Sequence, residues 1–210
     1  KKDAIFIFEQ PNFTKGVLDL KFDQIYHEHI SYFTVRNIKS LLKCSDLKII
    51  SVKKNGYHGG SLRTIATNSY SKLKEFNTNK LIKFENKNKI YSVKFYKNMM
   101  KKINIKKNNL LNKLIKLTQD GYIISGIGAG AKSNTFLTFY GLNNVMIKFL
   151  TDSSKFKQNK YTPMTRIIIK DDNELTNYKK IACLILSWNI SRIVIKKIKK
   201  INKNIKFIKT

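Results

Sequence analysis

All three histidines of this 210-residue chain fall between positions 27 and 58. Two of them sit in Tyr26-His27-Glu28-His29, followed by Ser31 and Tyr32. Histidine is the natural general base near neutral pH, a neighbouring glutamate can fix its tautomer, and a tyrosine hydroxyl can donate to a developing oxyanion. The stretch therefore holds the groups needed to abstract a proton, with His27, His29, Tyr26 and Glu28 as candidates. The competing reading is a turn in which His27 and His29 bond to backbone. A metal site is weaker still, because His-x-His is not the i, i+4 spacing of a zinc-binding helix and no carboxylate cluster completes it; no metal ligand is assigned.

Two further constellations follow. In His58-Gly59-Gly60-Ser61-Leu62-Arg63 the glycines let backbone approach a ligand closely, and His58, Ser61 and Arg63 offer polar groups. An ordinary hairpin turn accounts for the same residues. In Gly126-Ile127-Gly128-Ala129-Gly130-Ala131-Lys132 a strand passes into a helix through glycines, an arrangement that points backbone N–H groups at an anion. It is neither a Walker loop nor a strict G-x-G-x-x-G. Gly128 and Lys132 are its candidates. Asp152 closes the next strand, where a ribose-hydroxyl acceptor often lies. A tight turn with a solvated aspartate is the alternative.

The elements that must position these groups can be read from periodicity. Ile5 to Phe8 predicts a buried strand ended by Pro11. Thr34 suits the N-cap of a helix through Leu42, with Ile38, Leu41 and Leu42 on one face. Leu47–Val52 and Ser61–Thr67 predict two strands. Residues 72–118 contain no glycine or proline. There Val93, Tyr96, Met100, Ile103, Leu110, Leu114 and Leu117 recur at helical steps, broken at Lys107. Beyond, strands at Tyr122–Gly126, Met146–Leu150, Arg166–Lys170, Ile181–Ser187 and Ile205–Ile208 alternate with helices near 134–140, 172–178 and 190–201. Near-continuous apolar strands separated by helices predict a parallel sheet covered on both faces.

Composition limits the function classes. The net charge is +29, and 38 of the 42 basic residues are lysine. Such a field suits an acidic partner. Yet Ile, Lys and Asn, all with A/T-rich codons, make up 89 of 210 residues, and only four arginines are present for bidentate phosphate contacts. Nineteen of the 29 charges lie in residues 72–116 and 196–210, away from the chemically rich stretches. Nucleic acid is therefore not the expected partner. The apolar runs are strand-sized and predict no membrane span. Two cysteines exclude a disulfide scaffold and suit a reducing, cytoplasmic setting. The chain opens on Lys1 and enters a strand almost at once, which reads as the back part of a longer polypeptide.

In order, Phe22-Asp23-Gln24-Ile25-Tyr26-His27-Glu28-His29-Ile30-Ser31-Tyr32-Phe33, His58-Gly59-Gly60-Ser61-Leu62-Arg63, Gly128-Ala129-Gly130-Ala131-Lys132-Ser133-Asn134-Thr135 and Trp188-Asn189 closely resemble the S-adenosylmethionine-dependent C-methyltransferases of nucleotide-linked keto-deoxysugars. The resemblance implies an α/β chain. Residues 1–68 would be the C-terminal part of a class I methyltransferase domain, 69–118 a basic helical connector and 119–210 a Rossmann-like domain. It implies His29 as base, Tyr26 and Glu28 as its aids, and His58, Ser61, Arg63, Gly128, Lys132, Asn134, Asp152 and Trp188 around a nucleotide-sugar substrate. The S-adenosylmethionine loop would lie upstream of this chain. A non-catalytic sugar-nucleotide-binding module that needs a separate cofactor-binding chain is the alternative. One departure stands out: Met164 replaces the glycine of a Gly…Pro-Gly-Thr pattern.

Overall fold

The opening apolar run folds as strand β1 (Ile5–Pro11), paired antiparallel with β3 (Ser61–Asn68). The computed structural model describes residues 3–56 and 59–209. It divides into two units, Lys1–Ile103 and Asn104–Thr210. In the first, β2 (Leu47–Asn55) pairs with the other side of β3, giving a three-stranded antiparallel sheet of order β1-β3-β2.

Helix α2 (Val35–Lys43) forms the core with this sheet. Thr34 caps it as expected, accepting from the Asn37 N–H at 3.2 Å. Val35, Ile38 and Leu42 bury against Ile49, Val52, Leu62 and Ala66. Leu41 does not join them and is half exposed. The expected buried character of β1 also fails. Ile5, Phe6 and Ile7 are 58%, 51% and 58% exposed. β1 is an edge strand, and Phe8 is the residue of its apolar run that packs against the core.

Helix α1 (Phe13–Leu18) follows β1. The long helical stretch is two helices, α3 (Thr78–Lys87) and α4 (Val93–Gln119), separated at Lys89, which takes φ +54°. On α4, Ile103, Leu114 and Leu117 are buried as the spacing predicts, but Met99 is buried in place of Met100. The break at Lys107 is filled by the lysine itself, which donates to the Phe139 carbonyl at 2.7 Å and lies over that ring.

The second unit carries the expected parallel sheet. Its strands β4 (Ile123–Ile127), β5 (Phe149–Thr151), β6 (Ile169–Lys170), β7 (Ile181–Ile185) and β8 (Lys206–Lys209) run in the order β6-β5-β4-β7-β8. All four pairings are parallel. Every residue of β7 is buried, the signature of a strand covered on both faces. Helices α5 (Ala131–Tyr140) and α6 (Ser191–Ile201) lie along this unit, and Ile198 of α6 joins the core of Ile127, Phe149, Leu175, Ile181, Cys183 and Ile185. Burial pushes the Cys183 thiol up to about 12, so it is an inert core group. The chain is thus mixed α/β with a Rossmann-like parallel sheet in its second unit.

Candidate functional site

Residues 19–34, between α1 and α2, hold the Tyr-His-Glu-His motif. Their regular structure is one 3₁₀ turn, Phe22–Gln24. The His29 N–H donates to the Tyr26 carbonyl at 3.0 Å and closes a second turn. The His29 side chain is then fixed by backbone: Nδ1 lies 2.8 Å from the Gln24 carbonyl oxygen. A carbonyl only accepts, so Nδ1 carries a proton and the neutral ring keeps its lone pair on Nε2. The Tyr26 ring packs 4.6 Å from the imidazole, tilted by 48°. Its hydroxyl donates to Glu28 Oε2 at 3.0 Å. Burial, and then the Glu28 carboxylate, raise the Tyr26 pKa, so this hydroxyl stays protonated. Glu28 therefore partners Tyr26, and the tautomer is set by Gln24, a residue the sequence pattern did not single out.

The glycine-rich motif lies against the same junction. The Asn12 N–H, where β1 gives way to α1, donates to the Gly60 carbonyl at 3.0 Å, and the Phe13 N–H to the Phe33 carbonyl at 3.4 Å. The Phe13 ring meets Tyr32 at 5.3 Å. The ends of β1 and of the 19–34 segment thus meet where β3 begins. Gly60 needs to be glycine: its φ is +129° and a Cβ would come 2.6 Å from Lys15 Cδ. Ser61 and Arg63 are gathered by Glu9, another residue outside the sequence reading. Glu9 accepts from the Ser61 hydroxyl and, at 3.1 Å, from Asn55 through Oε1, and from Arg63 Nε at 2.9 Å through Oε2. The Ser61 bond foremost holds Glu9 below the usual carboxylate range, against partial burial and with help from Arg63. Glu9 and Arg63 are cross-strand neighbours, which is why they meet. His58 lies outside the described residues.

In the second unit the glycine-rich turn joins β4 to α5. Gly126 is packed so closely that a Cβ would lie 2.7 Å from Leu150. Gly128 takes φ +98°, and its Cβ would strike Ser187 Oγ at 2.0 Å. Asp152 clamps the turn: Oδ2 accepts from the Ala129 N–H at 2.9 Å and Oδ1 from the Ser154 N–H at 2.9 Å, with Lys157 Nζ at 3.3 Å. Burial opposes ionisation of Asp152, but these amides and Lys157 outweigh it and keep its pKa low. Lys132 Nζ lies 5.8 Å from the Trp188 ring centroid. The Asn134 Oδ1 atom is buried without a hydrogen-bond partner. The structure therefore gathers Gly128, Lys132, Asn134, Asp152 and Trp188 around the carboxyl ends of β4, β5 and β7, where ligands of parallel α/β sheets bind. Met164 takes φ +60° and is 80% exposed, so the backbone keeps a glycine-like conformation that methionine must strain to adopt.

Residues 56–210 match the family model described as the C-methyltransferase C-terminal domain. The chain belongs to this family. C-methyltransferase NovU of Streptomyces niveus is 25% identical over 194 residues, covering 92% of this chain and 46% of that protein. The chain thus spans about half the length of that curated relative. The C-methyltransferase C-terminal domain model begins after the Tyr-His-Glu-His motif and includes the whole parallel sheet. Among the described residues, no group of three or more His, Cys, Asp or Glu is placed to hold a metal, and no helix is long and apolar enough to cross a membrane.

Proposed function

We propose that this chain is the C-terminal part of an S-adenosylmethionine-dependent C-methyltransferase acting on a nucleotide-linked keto-sugar, with His29 as the base. The geometry that supports this most is the Nδ1–Gln24 bond, which leaves Nε2 as the proton acceptor. Nε2 takes the acidic proton beside the sugar ketone, and the electron pair of that C–H bond moves onto the carbonyl oxygen to form an enolate. Tyr26 braces the imidazole through its ring, and Glu28 holds the Tyr26 hydroxyl. His58, Ser61 and Arg63 of the first unit, and Gly128, Lys132, Asn134, Asp152 and Trp188 of the second, contribute to binding the nucleotide sugar. In the second unit the helix N-terminus and Lys132 suit its diphosphate.

S-adenosylmethionine supplies an electrophilic methyl group to a carbon nucleophile. Among the described residues of the first unit no glycine-rich turn joins a strand to a helix, so none here is assigned to hold it. The open edge of β1, with Ile5, Phe6 and Ile7 exposed, and the 46% coverage of the relative support a preceding part of the polypeptide for that role. The boundaries 1–68, 69–118 and 119–210 remain the proposed domains, and free thiols at Cys44 and Cys183 suit a cytoplasmic setting.

The test is mass spectrometry of nucleotide-linked keto-sugars incubated with S-adenosylmethionine and the full-length polypeptide. One added methylene mass, attached to carbon, is the expected result. Sugar-nucleotide binding without methylation would favour a binding module, and methylation of oxygen would overturn the enolate reading.

A further inference from the structure

We propose that Glu85 is a positioning residue that fixes the Tyr26–His29 segment by tying together the two helices that flank it. Glu85 projects from α3 and is only 2% exposed. Its Oε1 accepts from the Thr14 hydroxyl at 3.0 Å and from the Val35 N–H at 2.8 Å. Its Oε2 accepts from the Arg36 N–H at 3.2 Å and the Tyr91 hydroxyl at 2.6 Å. Thr14 stands on α1, just before the 19–34 segment. Val35 and Arg36 begin α2, just after it. One buried carboxylate therefore ties the first turn of the helix that precedes the motif segment to the first turn of the helix that follows it.

The chemistry needs a carboxylate. All four neighbours donate, and a carboxylate offers only acceptors. The first N–H groups of α2 have no partners within the helix; Thr34 satisfies Asn37, and Glu85 satisfies Val35 and Arg36. The positive end of the α2 dipole offsets the buried charge. Tyr91 adds to the clamp, since its hydroxyl also lies 3.0 Å from Thr34 Oγ1 and its ring lies 4.8 Å beneath the Arg36 guanidinium. A segment whose own regular structure is one 3₁₀ turn opens readily unless its ends are held. Holding them preserves the Gln24–His29 bond that sets the imidazole tautomer.

The inference rests on the reading of His29 as base only for its catalytic consequence. Glu85→Gln puts an amide N–H₂ where two donors point. In the full-length protein, hydrogen exchange of amides in residues 19–34 is expected to rise about tenfold or more, since a buried charge-assisted hydrogen bond is lost. Exchange in β3, at Thr64 and Ala66, stays unchanged. In protein labelled with 15N-histidine, the Nδ1–H signature of His29 gives way to a mixture of tautomers. Exchange that stays the same in 19–34, or rises equally in β3, overturns the proposal, because a merely structural carboxylate would loosen the unit as a whole. If Glu85→Gln does not fold, Thr14→Val removes one donor and leaves the α2 end tied. It is expected to raise exchange a few-fold in residues 13–24 only, and no rise there overturns the proposal. None of these readouts needs turnover. If they hold while a His29 variant still enolises substrate, the fastening stands and the reading of His29 as base falls.

Discussion

In the first unit, the histidine motif lies on a segment with a single 3₁₀ turn, and its polar groups bond to one another or to nearby backbone. In the second, the glycine-rich turn runs directly from a buried strand into a ten-residue helix, and its carboxylate is spent on its own backbone. The contrast fits the roles proposed for the two regions. The proposed base, His29, needs a free ring lone pair, and its imidazole bonds to the Gln24 carbonyl through Nδ1. In the glycine-rich turn, by contrast, the Asp152 carboxylate takes up the Ala129 N–H and fixes the turn itself. The first region is tuned by a distant clamp, Glu85, and the second by local packing against Leu150, Leu186 and Ser187.

The contrast can be broken most sharply at Gly128. Gly128→Ala is expected to destabilise by about 2–4 kcal/mol, combining left-handed strain with the Ser187 clash. Denaturant unfolding measures this, and Ser187→Ala should recover only the clash. Asp152→Asn loses one acceptor toward the turn and is expected to cost about 1–3 kcal/mol near neutral pH. Its sign with pH is fixed. The ionised carboxylate is favoured in the folded state, so its stabilisation is complete above the ordinary value of 3.8 and fades as pH falls through the lower folded value. Unfolding curves of wild type and variant should therefore converge in acid.

Met164→Gly relieves φ +60° at an exposed residue and is expected to stabilise by about 0.5–1 kcal/mol, seen as a higher melting temperature. Arg63→Ala removes an ion pair to Glu9 from a half-exposed surface. Its expected effect on unfolding is the smallest, under about 1 kcal/mol. A substantially larger loss would mean that the Glu9 cluster is structural in the way Asp152 is.

Much of this was legible in the residues. Thr34 before Val35 marked the start of α2, and the run Ile181–Leu186 marked a strand buried on both faces. Glycines at 126, 128 and 130 placed the turn of the second unit. Other features depend on partners far along the chain. Glu85 sits in a lysine-rich helix with nothing local to mark it, because its partners Val35 and Thr14 are 50 and 71 residues away. Glu9 finds Arg63 only through strand register. The exposure of β1 was hidden because Ile-Phe-Ile-Phe is apolar on both faces, leaving no alternation to separate core from edge. The split of 72–118 into α3 and α4 falls at Lys89, where neither glycine nor proline marks a left-handed residue.

Our central proposal is that His29 removes a proton from carbon. Its most direct measurement is solvent deuterium entering the position beside the ketone of a nucleotide-linked sugar, with full-length enzyme and no methyl donor. The wild type should exchange that proton, and His29→Gln should slow exchange by roughly 10²–10⁴-fold while substrate binding is retained. Equal exchange rates in the two proteins would contradict it.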